Sequence, residues 1–506
     1  MFATRRQDRS AVKQELSHPF LPQSIPPVEN RMAQEAESVY SYYYTYLREG
    51  SVEAVAKRLR RGIPAAGWWW ASLDWARGPF YYLIVIYVYS TYFAQSVVGD
   101  PVRGRALFST TQMIAGFAMA MIAPFLGSYM DRGGRKKPVL AALMLTMALS
   151  CVGLSFIHPD TPYAIPLVMT LLALAGCCFS VSELFQNALL GVAGTKSEVS
   201  LISGLGLALS SAASVLLLLG VLYFTRYPPA GLAEVDVARL SGIVCALWIA
   251  IFVWPFLCFM PDRPGVAGRW RGVSPFPRDV RLIATVRALF AEWPQIMRFL
   301  IARMVFMDGL IALFAITAVY TSGTLGWTRA ENAAMGIIVT IAAVGGGLAA
   351  GWLDRRLGPR NAIMTELLAI TALFLFQISI GRDAILFGLV PIAAQASARS
   401  MFAEVTDLIF LVSAIPMGGL IVAAFASCRS LLVTLSPPDR LGQFFGIYAM
   451  TSTITVWLGP ALVALTTMLS GSQRIGFGSL ILLFVIGCGL MLRVGVATST
   501  ADQNSS

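Results

Sequence analysis

The chain holds 506 residues, of which 57% are hydrophobic and only 13% charged, and its mean hydropathy is +0.69. A soluble fold of that length could not keep so much apolar surface dry, so the composition points to a polytopic membrane protein. A formal net charge of +11 would suggest nucleic acid in a soluble protein. Here the basic residues gather before the first apolar run, at 127–137, and between Arg263 and Arg298. That is the positive-inside distribution, which sets orientation and leaves no role for a nucleic-acid partner.

The seven cysteines, Cys151, Cys177, Cys178, Cys245, Cys258, Cys428 and Cys488, all fall inside apolar runs, and the only histidines are His18 and His158. That pattern has no metal-ligand spacing and reads as buried thiols, not a disulfide framework. Residues 1–62 are polar and basic, with Pro19, Pro22, Pro26 and Pro27. They predict a cytoplasmic tail without a cleavable signal peptide, in which Tyr40–Tyr46 and Val52–Arg61 either form a short interfacial helix or stay disordered. The first spanning helix then serves as the insertion signal.

Windows of about twenty apolar residues follow. They predict helices at Trp68–Ser96, with Trp68–Trp70 as an aromatic anchor, then Ala106–Tyr129, Pro138–Ile157, Tyr163–Leu190, Val199–Phe224 and Leu240–Met260. Residues 261–294, rich in Pro, Gly and Arg, read as a cytoplasmic linker with a possible interfacial helix at Asp279–Glu292. A second set follows at Gln295–Ser322, Asn332–Leu353, Asn361–Ile380, Asp407–Leu435, Gln443–Leu469 and Ile475–Arg493, and residues 495–506 form a tail. The expectation is an all-α membrane protein of twelve spans in two six-helix bundles, 63–260 and 295–494, with both termini cytoplasmic. Ala384–Ala396 is apolar but too short to span, and predicts an outer interfacial helix or re-entrant piece.

The stretch Gly127–Lys137, GSYMDRGGRKK, sits between two apolar runs. A charge at a helix centre costs roughly 2.5–3.5 kcal/mol, so these residues must lie in water or headgroups as a tight loop. Its Gly, Asp-Arg and Gly-Arg-Lys-Lys spacing resembles the loop between the second and third helices of the major facilitator superfamily. Gly351–Asn361, GWLDRRLGPRN, keeps Gly351, Asp354, Arg355 and Arg360 as a degenerate second copy, as expected of repeated halves.

Further stretches resemble the vacuole-effluxer branch of that superfamily, whose best-known eukaryotic member is the autophagy-related vacuolar amino-acid exporter. They are WASLDWARGPFYYLIVIYVYSTYFAQ (Trp70–Gln95), ELFQNALL with VSLISGLGLAL (Glu183–Leu209), FLIARMVFMDGL (Phe299–Leu310) and CRSLLVTLSPPDRLGQFFGIYAMTSTITVWLGPAL (Cys428–Leu462). The chain departs from the branch at Gln443, where an acidic residue is usual, and at Phe185-Gln186-Asn187, where Tyr-Asn-Ala is usual. The resemblance implies a bacterial-type member in the inner membrane, exporting a small metabolite such as an amino acid by alternating access. It needs no cofactor, works as a monomer and meets only its substrate and lipid. Drug or peptide efflux on the same fold stays open, as does a non-transporting scaffold or lipid-handling protein.

The resemblance also implies a latch. Gly127 would let the second helix pack on the eleventh, and Asp131 would accept from a helix N-terminus or a basic partner when the cytoplasmic side closes. Arg132, Arg135, Lys136 and Lys137, around Gly134, would hold the loop to anionic headgroups.

No enzyme constellation is present: the sequence has no His-based site, no phosphate-cradling loop and no zinc spacing. Ionisable residues inside spans are expensive unless paired or facing water. In this fold the first, fourth, seventh and tenth helices line the cavity, which singles out Asp74, Arg77, Glu183, Gln186, Asn187, Arg303, Asp308 and Arg429. Asp308 lies roughly 20 Å into its helix and is the proton-coupling candidate, with Arg303 or Arg77 taking an anionic substrate group. Asp74–Arg77 reads equally as a structural pair, Glu183 as a headgroup-level residue, and Arg429 as either cavity floor or headgroup contact. Glu366 and Asp407 read as structural residues near helix ends. The small residues Ser203, Gly204, Gly206 and Ala208 predict close helix approach.

Overall fold

Backbone in hydrocarbon must satisfy its own N–H and C=O groups, so each long apolar run folds as a helix. The computed structural model describes residues 62–131, 136–229, 233–262, 289–392 and 401–495. The tail at 1–61, most of the linker at 263–288 and the loop residues Arg132–Arg135 lie outside the described residues. With them go the expectations for the Tyr40–Tyr46 cluster and for an interfacial helix over residues 279–288. From Ile63 onward the chain forms one compact unit.

The helices are α1 (Ala65–Pro79), α2 (Pro101–Asp131), α3 (Lys136–Ser155), α4 (Ala164–Ala188), α5 (Val199–Arg226) and α6 (Glu234–Phe252). After the linker come α7 (Pro294–Tyr320), α8 (Arg329–Leu357), α9 (Pro359–Ser379), α10 (Val405–Leu435), α11 (Leu441–Thr451), α12 (Leu458–Ser470) and α13 (Ile481–Met491). Ten helical stretches among the described residues are long and apolar enough to cross a membrane. Within them only 28–61% of each apolar window is buried by protein, so lipid must cover the remainder.

Two of the expected spans are broken up enough to fall outside those ten stretches. Pro79 has no N–H to give, and directly after it α1 loosens into wide π turns at Phe80–Tyr87 and again at Phe93–Val97. The expected Gln443–Leu469 helix breaks between α11 and α12. Pro460 cannot donate to Val456, and Thr453, Ile454, Thr455 and Val456 are all β-branched and stiff.

Two other expectations are corrected. Of the tryptophan anchor, only Trp68 is exposed, whereas Trp70 is fully buried and its indole N–H donates to Gln186 O at 2.7 Å. The described part of the Ala384–Ala396 piece is a small hairpin, not an interfacial helix: β1 (Ala384–Ile385) pairs antiparallel with β2 (Val390–Pro391). Between them Leu386, Phe387 and Gly388 all have positive φ, which a right-handed α-helix cannot accommodate.

Helix ends are capped as their sequences ask. Thr328 Oγ1 accepts from Glu331 N at 3.3 Å, and Glu331 Oε2 accepts from Thr328 N at 2.8 Å, a capping box opening α8. Asp407, in the first turn of α10, accepts from Trp327 Nε1 at 2.6 Å.

Residues 63–260 meet residues 294–495 mainly where α2 crosses α11 and α5 crosses α8. Both crossings are backbone on backbone. A Cβ on Gly204 would run into Gly347 O, and one on Gly127 into Gly442 O, so neither position tolerates a side chain.

Candidate functional site

The site is a set of polar contacts that join the two parts of the chain at one end of the molecule, the end carrying Asp131. There the Asp131 carboxylate reaches the first turn of α11: Oδ1 accepts from Gly442 N at 2.8 Å and Oδ2 from Gln443 N at 2.6 Å. A helix N-terminus presents free N–H groups and partial positive charge, so it holds a carboxylate well. Gly127 lies one helical turn back from Asp131 and brings α2 close enough for this reach. Of the loop's basic residues, Lys136 and Lys137 are described. Their backbone N–H groups donate to Asp262 at 3.5 and 3.1 Å, and Lys137 Nζ donates to Met260 O at 2.9 Å. These lysines thus fasten α3 to the end of the first six helical runs.

Deeper from the same end, Arg429 of α10 crosses into the first part of the chain. Its Nη2 donates to Ser203 O at 3.0 Å, its Nη1 donates to Asn187 Oδ1 at 3.4 Å, and its guanidinium lies 5.4 Å from the Trp70 ring centre. Its Nη1 also stands 3.7 Å from Asp74 Oδ2, an ion pair too long for a hydrogen bond. Ser203 Oγ returns the contact by donating to Ala426 O at 2.9 Å.

Asp74 already has a partner on its own helix: Arg77 Nη2 donates to Asp74 Oδ1 at 2.7 Å, and Arg77 also donates to Ser182 Oγ at 3.1 Å and lies over Phe179. One buried carboxylate therefore sits between two buried guanidinium groups, leaving a net positive charge. Gln186 stitches α4 to α1 through its Nε2, which donates to Trp70 O at 3.1 Å. Glu183 is half-buried and close enough to Tyr81 and Tyr448 to act on both electrostatically.

The α7 pair is placed elsewhere. Arg303 donates to Ser452 Oγ at 2.8 Å and to Tyr448 O at 3.2 Å, and its guanidinium sits 3.4 Å from the Tyr448 ring centre. Asp308 is 1% exposed, and neither of its oxygens has a hydrogen-bond partner. The Thr455 hydroxyl faces it from the α11–α12 break, also unpartnered. Arg77, Arg303 and Asp308 therefore do not form one hydrogen-bonded group among the described residues.

The second loop copy has a different geometry from the first. Gly351 packs on Leu201 and Ser200 of α5, Arg355 lies in the last turn of α8, and Arg360 donates to Leu492 O at 3.0 Å. Asp354 caps no helix; it is buried with both oxygens unpartnered. Glu366 is 0% exposed and lies two turns inside α9, not at a helix end, with Oε1 accepting from Ser427 Oγ at 3.0 Å.

Sequence reasoning missed Ser203 and Trp70 as partners of Arg429, and Tyr448 as the partner of Arg303. Ser203 was visible only as one small residue in a stripe that predicts close packing.

This arrangement of helices is the fold of major facilitator superfamily transporters. The Escherichia coli fucose:proton symporter FucP superposes with a TM-score of 0.61 at 13% identity, over 85% of this chain and 98% of that chain. The human organic anion transporter MFSD10 superposes with a TM-score of 0.59 at 16% identity, over 84% of this chain and 98% of that one.

Residues 191–504 match the signature of the family described as "Vacuole effluxer Atg22 like", and the chain belongs to that family. It is 23% identical over 444 residues to the "Uncharacterized MFS-type transporter YxiO" of Bacillus subtilis (strain 168), covering 85% of this chain and 95% of that protein. It is 25% identical over 275 residues to "Autophagy-related protein 22" of Coccidioides immitis (strain RS), covering 52% of this chain and 44% of the fungal protein. The chain thus spans less than half the length of that fungal relative. It is a multi-pass membrane transporter and not an enzyme.

Proposed function

We propose that the protein is a proton-coupled secondary transporter that exports a small metabolite such as an amino acid, by alternating access, across a bacterial inner membrane. In this reading residues 63–260 and 294–495 are two six-helix bundles that rock about a midplane site, with the Asp131 end and both termini facing the cytoplasm. Twelve passes result if the segmented α1 run and the α11–α12 pair each cross once.

One observation carries the reading. The hydrogen bonds described between the two parts of the chain all lie toward the Asp131 end: those of Asp131, Arg429 and Ser203, and that of Lys196 Nζ to Thr434 O at 3.2 Å. At the opposite end Tyr87 packs against Gly336, and its hydroxyl faces that of Thr340 without reaching hydrogen-bond geometry. Such one-sided closure is what a gate shut toward one compartment looks like. The buried charges support transport over scaffolding, because a scaffold has no use for groups so expensive to insert.

When the Asp131 end opens, Arg429 must leave Ser203 and Asn187, and the surplus positive charge beside Asp74 becomes available to a carboxylate. That chemistry suits an amino-acid-like substrate. Asp308, buried and unpartnered, is the carboxylate this reading assigns to proton coupling.

The test is flux in proteoliposomes holding the full chain, loaded with a mixture of labelled amino acids and given an imposed pH gradient. Gradient-dependent efflux that a protonophore abolishes is expected. Amino-acid efflux indifferent to the gradient would overturn the coupling. Flux of a lipophilic drug or a dipeptide, with none of amino acids, would overturn the substrate class.

A further inference from the structure

Asp354 and Glu366 form a second acidic site, apart from the Arg429 network and from Asp308. Asp354 belongs to the last turns of α8, and Glu366 to α9 beside it. Both oxygens of Asp354 and Oε2 of Glu366 lack a hydrogen-bond partner, although the residues are 3% and 0% exposed. The hydroxyls of Ser427 and Ser430 on α10, and of Ser200 on α5, face Asp354 without reaching hydrogen-bond geometry. Ser427 Oγ, which faces Asp354, donates to Glu366 Oε1 at 3.0 Å, so one hydroxyl stands between two carboxylates near enough to repel one another.

No counter-charge reaches them among the described residues. On α10, Cys428 is close enough to both acids and to Arg303 of α7 to interact with all three, but Arg303 is bonded to Tyr448 and Ser452. Arg429, next along α10, turns away to Asn187 and Ser203. On α8, Arg356 lies over Trp352 and Arg355 is held in an interaction of its own. Arg360 of α9 is bonded to the carbonyls of Met491 and Leu492. Before α5, the Glu198 carboxylate accepts from Thr195.

We propose that Asp354 and Glu366 share one proton, and that losing it drives α8 away from α5 and opens the Asp131 end. Two like charges side by side in a dry site cannot both persist, so a neighbouring pair of carboxylates titrates as a unit. Taking the shared proton away leaves two negative charges with neither water nor cation. Ser200 stands on the opposing helix, and Gly351 brings α8 into contact with the Ser200 backbone, so the seam between α5 and α8 is where water can enter. A hydrated, separated seam is then the state that the doubly charged pair favours.

The two loop copies respond to protons in opposite senses. Asp131 closes its crossing as a carboxylate at a helix N-terminus, whereas the Asp354–Glu366 pair closes its crossing only while it holds a proton. This inference rests on the proton-coupled reading above and names a second proton site within it.

The test measures the distance between spin labels at Ser197→Cys and Leu357→Cys, exposed positions before α5 and at the end of α8. The full chain is used in lipid nanodiscs, with every native cysteine except the buried Cys428 replaced by alanine. As pH rises from mildly acidic to mildly alkaline, a longer distance component should grow. Glu366→Gln and Asp354→Asn should each abolish that growth, Glu366→Asp should retain it, and Asp308→Asn should leave it intact. Growth that survives Glu366→Gln and Asp354→Asn overturns the proposal, as does growth lost only with Asp308→Asn. A distance that ignores pH in the unsubstituted chain also overturns it, and gradient-driven flux in proteoliposomes then shows separately whether proton coupling stands.

Discussion

Removing the Asp131 carboxylate should release the crossing of α2 on α11. Its two bonds, at 2.8 and 2.6 Å, use a charged acceptor and the first amides of α11. Hydrogen bonds to charged groups contribute about 1.5–3 kcal/mol each, and charge at a helix N-terminus about 0.3–1 kcal/mol. Asp131 is half-buried and water replaces part of what it loses. Asp131→Ala is therefore expected to shift the balance between closed and open forms by about 1.5–2.5 kcal/mol, about 10- to 70-fold. Asp131→Asn keeps an acceptor without the charge and should shift it less. The assay is the labelling rate of Tyr81→Cys by a membrane-impermeant thiol reagent added from the Asp131 side, with the seven native cysteines replaced. Tyr81 is 43% exposed and lies beside Glu183, so it reports entry to the space between the two parts of the chain. A change below about twofold, or equal changes for Ala and Asn, would refute the reasoning.

Arg429→Ala strips a buried cation from Asp74, Asn187 and Ser203. Losing one member of a buried network is expected to cost about 3–5 kcal/mol of stability, read as a lower Tm in detergent, with Arg429→Lys losing less. Gly204→Leu places a side chain against the Gly347 backbone, and should lengthen the distance between labels at Ser197 and Leu357. An unchanged distance would mean that the α5–α8 crossing is not tight. Asp308→Asn should abolish gradient-driven flux while leaving the protein folded and inserted. Unchanged uphill transport would remove Asp308 from coupling, and loss with Glu183→Gln alone would assign the role to the half-exposed Glu183.

The helices were legible wherever an apolar run was long and unbroken, because hydrocarbon leaves the backbone no alternative. The interruptions were less so. The Pro460 and β-branched signals at 453–456 were present, yet hydropathy averages over them. The turn at Leu386–Gly388 depends on three positive φ values, two of them in residues that carry no such signature in sequence.

Among the site residues, the family resemblance carried by Gly127–Lys137 implied that Asp131 meets a helix N-terminus or a basic partner, and the structure places it at the first amides of α11. The pairing of Arg429 with Asn187 could not be read, because the two lie 242 residues apart and nothing local marks either as the other's partner. The degenerate loop copy was visible, but not that Asp354 turns inward to Glu366. That depends on how α9 packs, and a carboxylate two turns inside an apolar helix looks like a structural residue until its neighbours are known.

The most direct test of the account is a pair of distances on one protein. Labels at Ser197 and Leu357 report the Asp131 end, and labels at Tyr163 and Met468, exposed at 84% and 83%, report the opposite end. Alternating access predicts that conditions lengthening the first distance shorten the second. Two distances that stay fixed, or that lengthen together under every condition, would contradict it.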